Sequence, residues 1–162
     1  MEPKGYDRMR TFTDLIEELG ELTDQDITAE LNQTCRLKVN ETMYVQLEVD
    51  PTSEFILTTV EISEIPPGRF RENILKDALK SNFLVEVNHS VLAYLGVDNK
   101  LILYEYIYAH ALTGETLYEH IHRLVTRGEK WKNAIDSGQT SPNDLEEMPR
   151  STESKNSSPF GF

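Results

Sequence analysis

The sequence predicts an α+β domain in which a mostly antiparallel, twisted sheet carries three helices, in the order α-β-β-β-α-β-β-α. Three observations predict this class. Apolar residues recur at steps of three and four in three segments, which is the period of a helix. Elsewhere they alternate with polar residues over strand-length segments. Short turn-forming segments separate neighbouring strands, as in an antiparallel sheet.

The first helix is predicted over residues 8–20, where one apolar stripe comprises Met9, Phe12, Leu15, Ile16 and Leu19. Gly20 stands where a left-handed residue after the helix is favoured. Three strands follow, over Cys35–Val39, Met43–Val49 and Phe55–Ile62. The first two have period-two alternation, and Asn40-Glu41 is the expected turn between them.

A second helix, two further strands and a third helix follow in the second half of the chain. Pro66-Pro67-Gly68 ends the sheet segment and begins a second helix, which ends near Asn82. Strands are predicted over Val91–Leu95 and Leu101–Tyr108. The last helix begins near Thr113, and its apolar stripe comprises Leu117, Ile121, Leu124, Gly128, Trp131 and Ile135. Gly128 on that stripe indicates a close approach of backbone.

Residues 134–162 differ in composition from the rest of the chain, because they are rich in serine and proline and have almost no periodic apolar residues. Such a segment buries too little apolar surface to offset the entropy of ordering. We therefore expect one domain over residues 1–133 and a disordered acidic tail over residues 134–162.

The charge and the cysteine content exclude several classes of protein. The 162 residues have a net charge of -12, which argues against nucleic acid and against a basic membrane contact. Cys35 is the one cysteine, so an internal disulfide and a cysteine-paired zinc site are excluded. No stretch approaches the roughly 18 consecutive apolar residues of a membrane helix, and the first residues contain no signal sequence. These features predict a soluble protein of the reducing cytoplasm without membrane insertion.

No motif for catalysis, metal or cofactor binding is present. Phosphate loops, dinucleotide fingerprints and nucleophile elbows are missing from the sequence. His120 and His122 are two residues apart on a predicted helix and point to different sides. We therefore predict no enzyme, no catalytic residue, no metal and no cofactor. A hydrolase that uses adjacent carboxylates such as Glu146-Glu147 is the remaining enzymatic hypothesis.

The strand Leu101–Tyr108 is apolar or aromatic on both faces, and Val91–Leu95 adds Leu92 and Tyr94. A sheet with two apolar faces and few helices to cover them favours a subunit interface. The alternative is that the third helix covers one face and the first helix covers the other.

Several short motifs in this order carry a family resemblance. They are the Phe12–Gly20 helix, Thr34-Cys-Arg-Leu, Val45-Gln-Leu-Glu-Val-Asp-Pro, the helix end Leu79-Lys-Ser-Asn-Phe-Leu, and Leu95-Gly-Val-Asp. Together they resemble the Tir chaperone family, the class I chaperones of bacterial type III secretion, over about residues 8–133. The long polar tail departs from the family pattern.

The resemblance implies a cytoplasmic homodimer without enzymatic activity, or a heterodimer with another chaperone. Such a dimer binds the N-terminal region of a secreted effector in extended form, adds it as a strand at a sheet edge and keeps it soluble for the export apparatus. The alternative function is a non-enzymatic adaptor on the same fold that binds a folded partner or another chaperone.

The resemblance also assigns sites. The first helix and its neighbouring strands imply an effector-binding surface formed by exposed members of Phe12, Leu15, Ile16, Leu19, Val45 and Leu47. The second helix and the strand after it imply a dimer contact through Ile74, Ala78, Val91, Ala93 and Leu95.

Overall fold

A computed structural model describes residues 10–84 and 90–143 and contains the eight predicted elements in the predicted order. Their bounds are α1 Phe12–Thr23, β1 Thr34–Lys38, β2 Tyr44–Val49, β3 Phe55–Glu64, α2 Arg69–Leu84, β4 Val91–Leu95, β5 Lys100–Tyr108 and α3 Gly114–Asp136. The predicted α+β class is confirmed.

The five strands form one sheet in the order β1-β2-β3-β5-β4, and every neighbouring pair is antiparallel. The longest pairing joins β3 to β5, from Phe55 opposite Tyr108 to Glu64 opposite Lys100. An irregularity lies between Glu61 and Ser63. Because β5 pairs with β3, the outer strands of the sheet are β1 and β4.

The sheet has one covered face and one open face. Alternate strand residues point to opposite faces, and the buried set is the one beneath α1 and α3. It comprises Cys35, Leu37, Val45, Leu47, Ile56, Val60, Ile62, Leu101, Leu103 and Ile107. Helix residues Leu15, Ile16, Leu19, Leu117, Ile121, Leu124 and Trp131 belong to the same core. The idea that α1 and α3 cover opposite faces is therefore wrong, since both lie on the same side.

The contact between α1 and α3 is unusually close at Gly114. A Cβ atom added there would overlap with Glu18 Cβ, so no other residue fits without a shift. The Gly114 N–H donates to Glu18 Oε2 at 2.6 Å, and Arg10 Nε donates to Glu18 Oε1 at 2.7 Å. These hydrogen bonds, Arg10 first, lower the pKa of Glu18. The carboxylate lies at the positive end of the α3 dipole, which stabilises negative charge.

Gly128 allows α3 to lie directly on the sheet, as its place on the apolar stripe predicts. A Cβ there would lie 3.1 Å from Met43 Cε and 3.2 Å from Val60 Cγ1. Larger side chains at this position would lift α3 from β3 and open the core.

Helix α2 lies beside β4 and not on the sheet face. The Asn82 side chain accepts from Leu92 N–H and donates to Leu92 C=O, both at 2.8 Å. Nearby, Arg127 of α3 donates to Ser90 O and Ser90 Oγ at 2.7 Å and to Ser81 Oγ at 3.0 Å. Burial lowers the pKa of this guanidinium, which nevertheless stays charged. The two side chains fix β4 to α2 and α3.

Gly20 does not end α1, contrary to the sequence expectation. The helix runs to Thr23, and the left-handed residue is Asp24, with φ 52°. Gly20 serves another purpose, because a Cβ there would lie 2.9 Å from Gln25 O and 3.3 Å from Ile27 Cγ1. The glycine lets the chain turn back tightly against α1.

The predicted domain boundary at residue 133 falls inside α3, which continues to Asp136. Ala134 and Ile135 are buried, and Thr140 Oγ1 then donates to Asp77 Oδ2 of α2 at 2.6 Å. Burial raises the pKa of Asp77, but hydrogen bonds from Thr140 and Lys80 outweigh this effect and lower it. The ordered part thus extends beyond the predicted boundary, and the tail prediction for residues 144–162 lies outside the described residues.

Replacing Glu18 with Gln should destabilise the protein in a pH-dependent way. A carboxyl with a lowered folded pKa stabilises the fold above its unfolded pKa, and this contribution is lost as pH falls through the folded pKa. Because the side chain is partly exposed, we expect at most about 1 kcal/mol. Melting curves should therefore separate the variant from wild type at pH 7 and converge in acid, as the pH falls through the folded pKa of Glu18. Curves that stay equally separated at every acidic pH at which the protein folds would contradict the electrostatic origin.

Two truncations should separate the domain from the tail. Removing residues 144–162 should leave the melting temperature nearly unchanged. Ending the chain after Asn133 should cost about 3 kcal/mol, because it removes buried Ala134 and Ile135 from the end of α3. Thermal unfolding of both truncations checks this. A large fall in melting temperature on removal of residues 144–162 alone would contradict the predicted independence of the tail.

Candidate partner-binding surfaces

A groove at the beginning of α1 is the largest of the cavities described below. Its volume is about 590 Å³. It lies between the beginning of α1, the turn that joins β2 to β3, and the end of β5. Phe12, Leu15, Val49, Ile56, Tyr108 and Ala109 provide its apolar lining. Polar residues around it are Arg10, Thr11, Gln33, Thr52, Ser53, Glu54 and His110. We call this cavity the α1 groove.

Local hydrogen bonds fix both walls of the α1 groove. On one side, Thr11 caps α1, since its side chain accepts from Asp14 N–H and Asp14 accepts from Thr11 N–H. On the other side, Asp50 accepts from Thr52 Oγ1 at 2.6 Å and from Phe55 N–H at 2.9 Å. These bonds, that from Thr52 first, lower the pKa of Asp50. The groove is therefore formed before any partner binds.

The structure places most of the predicted effector-binding residues inside the protomer. Leu15, Ile16, Leu19, Val45 and Leu47 have between 0% and 2% of their surface exposed. Only Phe12 is half-buried, and it lines the α1 groove. Leu15 also reaches the groove lining, as part of its floor. The condition of exposure attached to these six residues is thus met by Phe12 alone.

The open face of the sheet is rich in aromatic side chains. Phe55 lies against Tyr108 with ring centroids 5.6 Å apart and against Tyr106 at 6.4 Å. Tyr104 and Tyr106 are also in edge contact, at 6.1 Å. Tyr106 and Tyr108 are both more than half exposed. The two-sided apolar character predicted for β5 is confirmed, and no helix within residues 10–84 and 90–143 lies on its outer side.

A smaller cavity of about 220 Å³ lies on the same open face and is lined by residues from all five strands. Arg36 stacks over the Tyr44 ring at 4.4 Å and lies 4.0 Å from Glu61. Lys100 Nζ pairs with Glu61 at 2.8 Å, which raises the pKa of the lysine. Leu95 and Ile102 give this cavity its apolar wall. It combines a cation, an aromatic ring and aliphatic surface.

Exposed apolar residues also mark α2 and β4. Leu79 has 69% and Phe83 has 90% of its surface exposed. Of the predicted dimer residues, Leu95 is exposed, Val91 and Ala93 are half-buried, and Ile74 and Ala78 belong to the core. We call Leu79, Phe83 and Leu95 the α2–β4 surface.

The titratable side chains that could react or hold a metal ion are dispersed in the part of the chain that the structure describes. Within residues 10–84 and 90–143, no three His, Cys, Asp or Glu side chains converge to hold a metal ion. Burial raises the pKa of the Cys35 thiol, so the reactive thiolate is disfavoured. His120 Nδ1 lies 3.3 Å from Glu105 and His122 stacks on Tyr118. No helix in the described ranges is long and apolar enough to cross a membrane.

Several surface residues escaped the sequence analysis. Tyr108 and His110 were not expected at a groove, although the aromatic run that ends β5 was visible. The spacing of Leu79 from Leu75 and Ala78 fits an apolar stripe on α2, whereas its side chain is exposed. Asn82 lies within the Leu79-Lys-Ser-Asn-Phe-Leu motif, but its hydrogen bonds to β4 could not be foreseen from a local pattern.

Comparison with known proteins gives structural relatives of low sequence identity. One is the type III secretion chaperone SycH of Yersinia pestis in complex with a stable fragment of YscM2, at 16% identity and TM-score 0.59, covering 74% of this chain and 98% of that one. A chain of the ExsC–ExsE complex has 18% identity and TM-score 0.61, with coverage of 79% and 96%.

A third relative is a chain of the heterodimeric ExoU–SpcU complex from the type III secretion system of Pseudomonas aeruginosa, at 16% identity and TM-score 0.55, covering 73% and 94%. At these identities the likeness establishes a common fold. No curated protein sequence matches significantly. The model of the Tir chaperone protein (CesT) family matches residues 14–132, from the first turn of α1 nearly to the end of α3. The chain therefore belongs to the Tir chaperone protein (CesT) family.

Proposed function

We propose that this protein is a cytoplasmic type III secretion chaperone that holds the N-terminal region of a secreted effector in extended form. The observation that carries the proposal is the α1 groove, a preformed apolar cavity beside polar backbone in a member of a chaperone family. By holding the client unfolded, the chaperone keeps it soluble until the export apparatus receives it.

The α1 groove fits the side chains of an extended client better than a small polar ligand. Phe12, Leu15 and Ile56 offer apolar contacts, and a volume of about 590 Å³ accommodates a few aliphatic or aromatic side chains. Thr52, Ser53 and His110 stand around it and can pair with client backbone. Apolar anchors with backbone hydrogen bonds recognise extended segments of many sequences.

The relatives support this proposal through what they bind. SycH was solved with a fragment of YscM2, and another relative of 19% identity belongs to the HopA1–SchA chaperone–effector complex. These relatives share the fold of the present chain. Its client is a separate polypeptide, which the side chains of its own α1 groove select. Binding without bond making requires neither nucleotide nor metal, and we propose that the protein is not an enzyme.

The α2–β4 surface supports a dimer. Leu79 and Phe83 are too exposed for a monomer to gain from them, and the neighbouring strand β4 adds exposed Leu95 and half-buried Val91 and Ala93. Apolar patches of this kind mark subunit interfaces. We propose that two copies pair through this surface, so that one client chain meets two α1 grooves.

A charge in the α1 groove should abolish client binding. The client is first identified by co-purification from the native cytoplasm. Phe12→Asp should then weaken its capture at least tenfold, because a carboxylate would be desolvated against apolar side chains. Thr13→Asp is the matched control, since it adds the same charge at the beginning of α1 on an exposed position. Circular dichroism verifies that both variants are folded.

Equal client binding by both folded variants would contradict the assignment of the groove. A bound partner that is itself folded, with protected amides of its own, would favour the adaptor function over the chaperone function. An effector segment that gains protection only along the chaperone contact would support the proposal.

The dimer should be split by charges on the α2–β4 surface. Light scattering on a sizing column should give about twice the chain mass of 18.6 kDa for the wild type. Leu79→Asp together with Phe83→Asp should give the monomer mass, because unpaired charges would be buried in the interface. Asn73→Asp, which adds a charge on another exposed position of α2, should remain dimeric. A wild-type monomer at micromolar concentration would overturn the dimer.

A further inference from the structure

The segment Gln25–Glu30 runs alongside the outer edge of β1. At one end, Gln25 Nε2 donates to Lys38 O at 2.9 Å, and at the other end Glu30 N–H donates to Thr34 O at 2.8 Å. Gln25, at the beginning of this segment, lies beside the end of β1, and Glu30, at its end, lies beside the beginning of β1. The two therefore run antiparallel. We call Gln25–Glu30 the edge segment.

The edge segment occupies the positions of a sixth strand without forming one. Gln33 O accepts from Val49 N–H, and Val39 N–H donates to Met43 O, so the odd-numbered residues of β1 bond to β2. The even-numbered residues Thr34, Arg36 and Lys38 therefore direct their backbone groups outward. Within the described ranges, the edge segment bonds to the first and last of these, and no backbone bond joins it to Arg36.

The packing of the edge segment has strand-like alternation. Ile27 and Ala29 are half-buried against the core, while Asp26, Thr28 and Glu30 are exposed. Gly20 permits the close return of the chain at Gln25. Few hydrogen bonds and half-buried apolar side chains are the features of a segment that opens at low free-energy cost.

The other edge of the sheet is closed by a firmer contact. The Asn82 side chain uses both backbone groups of Leu92 that point away from β5, and Ser90 O accepts from the half-buried Arg127. Opening this edge would separate β4 from two helices. A strand that joins the sheet therefore meets less resistance at β1.

We propose that the edge segment is an intramolecular competitor that a client strand displaces from β1. This inference rests on the proposed chaperone function and adds the place and the cost of client entry. A client strand would take over the Thr34 and Lys38 carbonyls and supply the missing partners of Arg36. Its inward side chains would replace those of Ile27 and Ala29.

The edge segment also indicates what a displacing strand should look like. With the preceding Asp24, its sequence is Asp24-Gln-Asp-Ile-Thr-Ala-Glu. The aliphatic Ile27 and Ala29 are directed inward, and the acidic or polar Asp26, Thr28 and Glu30 are directed outward. On β1 the outward side chains of Arg36 and Lys38 are basic and exposed. The preferred client segment therefore combines an aliphatic alternation with acidic residues between the aliphatic ones. A tethered competitor acts at a millimolar effective concentration, so weak strands are rejected.

Amide exchange measured by NMR tests the competitor. Gln25→Ala removes the contact to Lys38, and Ile27→Ala removes half-buried packing. Each should make the Glu30 amide exchange about tenfold faster, because the free energy of opening falls. The Val39 amide, which bonds to β2, should not change in either variant. Thr28→Ala is the matched control within the segment and should leave both amides as in wild type.

Displacement is tested with a synthetic peptide of residues 24–31, added in trans at millimolar concentration. In Ile27→Ala the peptide should bind about fivefold more tightly than in wild type. It should protect the Arg36 amide and deprotect Glu30. A Glu30 amide unaffected by both variants, or a peptide that protects no β1 amide, overturns the proposal. Capture of a client by the α1 groove while Glu30 stays protected would also overturn it and leave the proposed function intact.

Discussion

The contact of Glu18 with Gly114 is the constraint on which the arrangement of the molecule depends. It brings α1 and α3 side by side, with less than the width of a methyl group to spare. Both helices then lie on one face of the sheet, and no helix of the described residues lies on the opposite face. α2 lies at the β4 edge. The open aromatic face and the α2–β4 surface are consequences of this one close approach.

The same arrangement places the α1 groove and the α2–β4 surface in different parts of the protomer. The α1 groove is at the beginning of α1 and the ends of the central strands, whereas Leu79 and Phe83 lie on α2 beyond β4. If the client and the second copy bind at these two proposed surfaces, neither partner covers the other. Rigid walls, set by the Thr11 cap and the Asp50 turn, reduce the ordering cost that binding must overcome.

Local periodicity was sufficient for the element order, because each helix and strand carries its own apolar spacing. It was insufficient for the sites. Leu15 and Leu47 have the spacing of an apolar stripe whether a client or α3 covers them, and only the tertiary structure shows which. Gly20 was assigned to a helix end because glycine is common there, while its actual role depends on Gln25 returning past it. The Asn82 contact joins two elements and leaves no mark on either pattern.

The Asn82 side chain has a consequence for colloidal behaviour. Its amide presents one N–H donor and one carbonyl acceptor to Leu92 and thereby imitates the peptide group of a neighbouring strand. An unpaired β4 would be a template for edge-to-edge growth, the first step toward cross-β fibrils. A protein whose clients are unfolded chains meets such templates constantly. By ending the sheet with a side chain, the molecule can take up extended polypeptide without becoming a seed for its polymerisation.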